Sequence, residues 1–160
     1  MPKKSLKNIL TKFSFGATSS IITSLGLITG LDGLNNPKLS IISGLLLIAL
    51  ADNISDTLGI HIYQESEAKS QKEVWFSTLS NFFTRLLVSL IFIGIVWFLP
   101  IEFAVISSIV FGFFVLSVIS FVIAKSRNKK PLLSIIEHIG IAATVITVSH
   151  LVSRFILVKI

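Results

Sequence analysis

Two aspartates four residues apart, Asp52 and Asp56, interrupt an otherwise apolar run reading Ala51-Asp52-Asn53-Ile54-Ser55-Asp56-Thr57-Leu58-Gly59. On a helix that spacing puts both carboxylates on one face, and at about 100° per residue the same stripe takes in Ile48, Gly59, Tyr63 and Glu67. Carboxylate oxygens suit hard or borderline dications such as magnesium, manganese or ferrous iron. Two Asp one turn apart can hold one such ion between them, and two copies of the chain would supply four carboxylates about their axis. Arg85 sets a competing reading. Asp52 lies roughly 16 Å in from the Tyr63 end of its helix and Arg85 roughly 15 Å into the next, at 1.5 Å per residue. One Asp paired with Arg85 would lock two helices together and leave the other as the better ligand or proton carrier. Ionisable groups at such depth in a membrane are costly and point to function.

His61 and Glu65 are also four apart, on the opposite face of the same helix. With Glu67 and Glu73 they could draw in cations, or they could be a solvated helix end paired with Lys69 and Lys72. Glu137 and His138 sit one turn into the last apolar segment and extend the candidate funnel, because His is the commonest transition-metal ligand. They serve equally as a helix contact. The first apolar segment is rich in small polar groups, among them Ser14, Thr18, Ser19, Ser20, Thr23 and Ser24. It also carries the close-packing patterns Gly16-x-x-x-Ser20 and Gly26-x-x-x-Gly30. Ser19 and Thr23 are its candidate secondary oxygen ligands, and a helix of this kind belongs at the centre of the fold.

What must position these residues is a set of membrane helices. The chain has 160 residues, 52% apolar and 14% charged, against about 25% charged in a soluble domain, and its mean hydropathy is +0.88. Leu86 to Ile101 and Phe103 to Ala124 carry no charge, and no run alternates at period two as a membrane β-barrel strand would. The pattern predicts an all-α integral membrane protein, one transmembrane domain over 1–160, with five spans at about 13–31, 39–63, 75–99, 102–124 and 132–157. Asp32-Gly33-Leu34-Asn35-Asn36-Pro37, Pro100 and the basic run ending at Pro131 punctuate them. The Phe-, Val- and Ile-rich fourth span reads as a lipid-facing wall. Lys3, Lys4, Lys7, Lys12, Lys69, Lys72, Lys125, Arg127, Lys129 and Lys130 fall on one side of this arrangement, and Lys38, Arg154 and Lys159 on the other. Ten against three places the N-terminus in the cytoplasm and the C-terminus outside.

No Walker loop, H-E-x-x-H or G-x-S-x-G motif is present, and no cysteine. That excludes ATP-driven pumping by this chain, zincin chemistry and thiolate metal sites. Neither an enzyme nor a resident cofactor is expected. The net charge of +6 speaks of membrane orientation and anionic lipid, not of nucleic acid.

The residues resemble the vacuolar iron transporter family, exporters of ferrous iron and manganese. Gly16-Ala17-Thr18-Ser19-Ser20-Ile21-Ile22-Thr23-Ser24-Leu25, ending Ile28-Thr29-Gly30-Leu31, is similar to the family's first-helix pattern. Ala51 to Gly59 with Ser66-Glu67 is similar to its second-helix stretch, and Glu137-His138-Ile139-Gly140 opens the last span. The family's first-helix aspartate falls on Ser19, its methionine ligand on Asp56, and its early second-helix acid near Ile48. Between spans two and three, Gln64 to Val74 replaces a long Glu-rich cytoplasmic region. The resemblance implies a homodimer whose pore runs between subunits along spans one and two. It implies proton-coupled export of manganese or ferrous iron across the cytoplasmic (plasma) membrane by a multi-pass protein. Asp52 and Asp56 would line the pore and Glu67 its cytoplasmic exit. The alternative is a non-transporting scaffold or partner-binding protein, in which the acids pair with Arg85 for structure alone.

Overall fold

The computed structural model describes the backbone of residues 2–156 and the side chains of residues 13–155. Of the lysines in the orientation count, the side chains of Lys3, Lys4, Lys7, Lys12 and Lys159 lie outside the described residues. Five helices follow one another: α1 (Pro2–Leu31), α2 (Pro37–Ser66), α3 (Gln71–Phe98), α4 (Ile101–Ser126) and α5 (Pro131–Ile156). No strand occurs among the described residues, and all five helices contain a segment long and apolar enough to cross a membrane. In lipid the backbone must bond to itself, which helices do without a partner. The chain is a multi-pass, all-α membrane protein.

Local chemistry sets the helix ends. Pro37 and Pro131 each occupy a first helical position, where the missing N–H costs nothing. Ser70 caps α3: its Oγ accepts from the Glu73 backbone N–H, and its hydroxyl donates to the Glu73 carboxylate at 3.3 Å. Leu99 turns extended before Pro100 and ends the same helix. Ala68 and Asn128 take left-handed φ values of 51° and 55° in the two loops on the basic side.

α1 is central, as its small and polar composition predicts. Half of its spanning part is buried, against 6% for α5, and it packs on each of the other four helices. Ile21, Leu25 and Ile28 are fully buried against Phe92, Val96, Ile41 and Ala104. The expected lipid-facing character of α4 holds for one side only. Phe103, Ile106, Val110 and Phe114 are exposed, but Ala104, Ser108, Gly112, Leu116, Ser120 and Ala124 form a buried seam spaced by four, small at every position but Leu116. α5 is the more open wall, since its packing among the described residues is chiefly on α1 and α4.

The small-residue patterns of α1 serve packing within the chain. A Cβ at Gly26 would stand 2.9 Å from Val145 of α5, and one at Gly16 would meet Asn81 Oδ1 of α3 at 2.7 Å and its backbone oxygen at 3.0 Å. Because backbone cannot rotate away, Gly16→Ala is expected to destabilise the protein by about 1–3 kcal/mol. Gly30→Ala is expected to be neutral or mildly stabilising, its Cβ lying 3.5 Å from Ser149 Cβ, an ordinary contact. Thermal unfolding of the two variants in detergent checks the contrast.

Candidate functional site

The site is built where α1, α2 and α3 meet. Asp52 is the middle of the 30-residue helix Pro37–Ser66, and Arg85 the middle of the 28-residue helix Gln71–Phe98. Asp52 also closes a π-helical turn, Ile48–Asp52, in which the Asn53 N–H reaches the Ile48 carbonyl five residues back. The Asn53 side-chain amide donates to the Ala49 carbonyl at 3.3 Å inside that wide turn and to the Phe82 carbonyl of α3 at 3.0 Å. π turns cluster at functional sites. This one breaks the constant 100° step assumed from the sequence. Ile48 therefore leaves the stripe of the aspartates and lines a different groove, with Thr23, Gly26 and Val145.

Arg85 is 2% exposed and converges on both acids. It donates through Nη2 to Asp52 Oδ2 and through Nη1 to Ser19 Oγ of α1, and Nη1 lies 2.9 Å from Asp56 Oδ2. The Asp56 contact is charge against charge, without an aligned hydrogen bond. Arg85 Nε has no partner. The sequence left open whether one acid pairs with the arginine; both do. Yet neither is enclosed: Asp52 is 48% and Asp56 31% exposed. Among the described residues neither Oδ1 has a hydrogen-bond or ion-pair partner. Asp56 lines a groove of about 660 Å³ with Ser55, Gly59, Tyr63, Gln64 and Ser77, running from mid-helix toward the C-terminal end of α2. Two carboxylates and one guanidinium leave the ionised triad with one net negative charge.

A buried polar ladder holds this geometry. Asn81 Nδ2 donates to Thr57 Oγ1 at 3.1 Å, and Thr57 donates to Asn53 Oδ1 at 3.3 Å. Ser20 bonds Ser89 Oγ at 3.1 Å and the Arg85 carbonyl at 3.2 Å. Of these, the sequence reading marks only Ser20, as a packing residue, although the signal for the others is present. Ser77, Asn81, Arg85 and Ser89 recur every four residues on α3, and Asn53 and Thr57 are four apart on α2.

The remaining candidates do not join the triad. Ser19 does, through Arg85, but Thr23 donates to the Ser19 carbonyl at 2.9 Å and lies in the other groove. Glu67 is exposed at the C-terminal end of α2. His61 stands between α2 and α3, with Nδ1 3.0 Å from Thr78 Oγ1 and Nε2 3.5 Å from Glu65 Oε1. His138 bonds Ser120 of α4 at 2.7 Å, and Glu137 is exposed beside it. Among the described residues no three or more His, Asp or Glu gather in one place, so the proposed funnel is at most two separate pairs. Comparison of the chain with family models, curated proteins and solved structures finds no match.

Proposed function

We propose that this protein transports divalent metal cations, manganese or ferrous iron, out of the cytosol in exchange for protons, through a pore formed between two copies. One observation carries the reading: an acid pair stands half exposed at mid-helix in a membrane protein, with one negative charge more than Arg85 neutralises. A carboxylate facing lipid at that depth is costly, so this face meets water or protein. Two copies facing each other would bring two net negative charges together. One dication matches them, and so do two protons. Loading alternately with one or the other keeps the site neutral throughout, which is the physical basis of coupled exchange.

The resemblance to vacuolar iron transporters supports the homodimer, the pore along α1 and α2, and Glu67 at the cytoplasmic exit. Asp56 stands where that family carries a soft methionine, and an oxygen ligand there favours manganese over iron. The excess of Lys and Arg on one side supports an N-terminus in the cytoplasm.

Metal flux into proteoliposomes under an imposed pH gradient tests the proposal. Manganese and ferrous iron flux is expected in the wild type and not in Asp52→Asn/Asp56→Asn. That variant strands Arg85 without a counter-charge, so the charge-balanced Asp52→Asn/Asp56→Asn/Arg85→Gln belongs beside it. Flux surviving in the folded triple variant rejects the assignment.

The scaffold reading has one observation in its favour, that both carboxylates lean on Arg85. Folded, dimeric wild type that moves neither metal would select it.

A further inference from the structure

We infer that His61 and Glu65 form a second cation site, separate from the aspartate triad, that takes a transition-metal dication through His61 Nε2 and the Glu65 carboxylate. Its role as a loading site for the pore rests on the transport reading; the binding does not.

The hydrogen-bond geometry favours one imidazole nitrogen as the free one. Thr78 has one hydroxyl hydrogen, and it goes to the Val74 carbonyl at 2.9 Å. Toward His61 Nδ1, 3.0 Å away, Thr78 is therefore an acceptor. In that arrangement Nδ1 carries the ring hydrogen, and in the neutral ring Nε2 is a bare lone pair. Nε2 lies 3.5 Å from Glu65 Oε1. Two acceptors this close call for a cation between them. Fixing one ring nitrogen by a protein acceptor so that the other is free is how metal-binding histidines are prepared.

The spacing fits a metal without rearrangement. With metal–nitrogen and metal–oxygen bonds of about 2.0–2.2 Å, donors separated as these are subtend about 110°, near the tetrahedral angle. Thr78 and the edge-on ring of Trp75, 4.9 Å away at 67°, hold the imidazole plane. His61 is 17% exposed and Glu65 47%, so water reaches the pair from the Glu65 side and fills the remaining coordination positions. Imidazole with carboxylate selects zinc, ferrous iron or manganese over magnesium and calcium, which prefer all-oxygen shells. The competing occupant is a proton, giving a plain ion pair between imidazolium and Glu65.

The chain supplies its own control. Ser120 likewise donates its hydrogen to the Leu116 carbonyl at 2.6 Å and accepts from His138 Nδ1, which frees His138 Nε2. No carboxylate pairs with that nitrogen among the described residues. His138 is a one-donor site and is expected to bind far more weakly.

Nitrogen NMR of the full-length protein in detergent, with ¹⁵N-labelled imidazoles and zinc as the diamagnetic probe, tests this. The sequence has three histidines, His61, His138 and His150, to resolve. The expected result is an Nδ1–H tautomer for neutral His61, and an Nε2 resonance that moves with zinc while His138 and His150 do not. Glu65→Gln should weaken zinc at least tenfold, with the fold kept by its matching shape. Asp52→Asn/Asp56→Asn/Arg85→Gln should leave binding unchanged. An Nε2–H tautomer, a His61 signal indifferent to zinc, equal shifts of all three histidines, or indifference to Glu65→Gln would each overturn the site. Zinc binding at His61 without flux would sink the transport reading and leave this site standing. Flux with a silent His61 would do the reverse.

Discussion

Arg85→Gln is expected to lower stability by about 3 kcal/mol, at the lower end of the range of about 3–5 for breaking a buried pair because solvent reaches the two acids and screens them. Arg85 is the largest fully buried side chain of the molecule, and it meets two carboxylates and Ser19 at once. Removing it leaves Asp52 and Asp56, one turn apart, to repel each other without the cation that holds them together. Arg85→Lys keeps the charge but offers a single point where the guanidinium offers a fork, so an intermediate loss is expected. The diagnostic measurement is a mutant cycle read by unfolding in detergent. Asp52→Asn/Asp56→Asn alone is also expected to destabilise, since it buries an unpaired guanidinium. Combined with Arg85→Gln, the acid substitutions should give a protein more stable than either parent variant. If the effects simply add to within about 0.5 kcal/mol, the triad is not an energetic unit, and the charge balance argued for the pore has no basis.

The fold was legible because membrane helices write themselves as uncharged runs, and five helices long and apolar enough to cross a membrane are found. The site was legible in its members but not in its connections. Depth counting brought Asp52, Asp56 and Arg85 to one level; it did not show that one guanidinium meets both acids. Charge alone decides that a pair forms, whereas the π turn and the Gly16 contact with α3 decide its geometry, and neither has a local sequence signature. Thr23 was misplaced for a related reason. Ser19 and Thr23 share a helix face on α1, but α2 passes that face with its π turn between them. Aspartates then stand opposite Ser19 and Ile48 opposite Thr23. His61 was seen only as a charge, because the hydroxyl that fixes its tautomer comes from another helix.

Gly59→Trp is expected to abolish dimer and flux, each falling at least tenfold, while leaving the fold of the single chain intact. Gly59 is exposed, lines the groove beside Asp56, and a Cβ there would meet nothing within 4 Å. The contrast with Gly16 and Gly112, whose Cβ atoms would press on Asn81 and Leu25, shows that no contact within the chain calls for a glycine at this place. Glycine in a helix interior costs about 0.5–1 kcal/mol relative to alanine, so Gly59→Ala should raise the melting temperature of the monomer slightly. A residue that costs stability, has room to spare and sits on the open face beside two charged groups is explained if another backbone comes close there. Close approach is what small residues provide between membrane helices. A second copy brought in along this face carries its own Asp52 and Asp56 toward the first pair. Gly140 of α5 is the control, being exposed and equally free of neighbours; Gly140→Trp should change neither assembly nor transport. Single-molecule photobleaching in liposomes counts the copies, and the proteoliposome assay reads the flux. Dimers and flux that persist in Gly59→Trp would place the subunit contact elsewhere and leave the aspartates facing water from a single chain. The charge arithmetic would then favour one monovalent cation or one proton per protein over a shared dication.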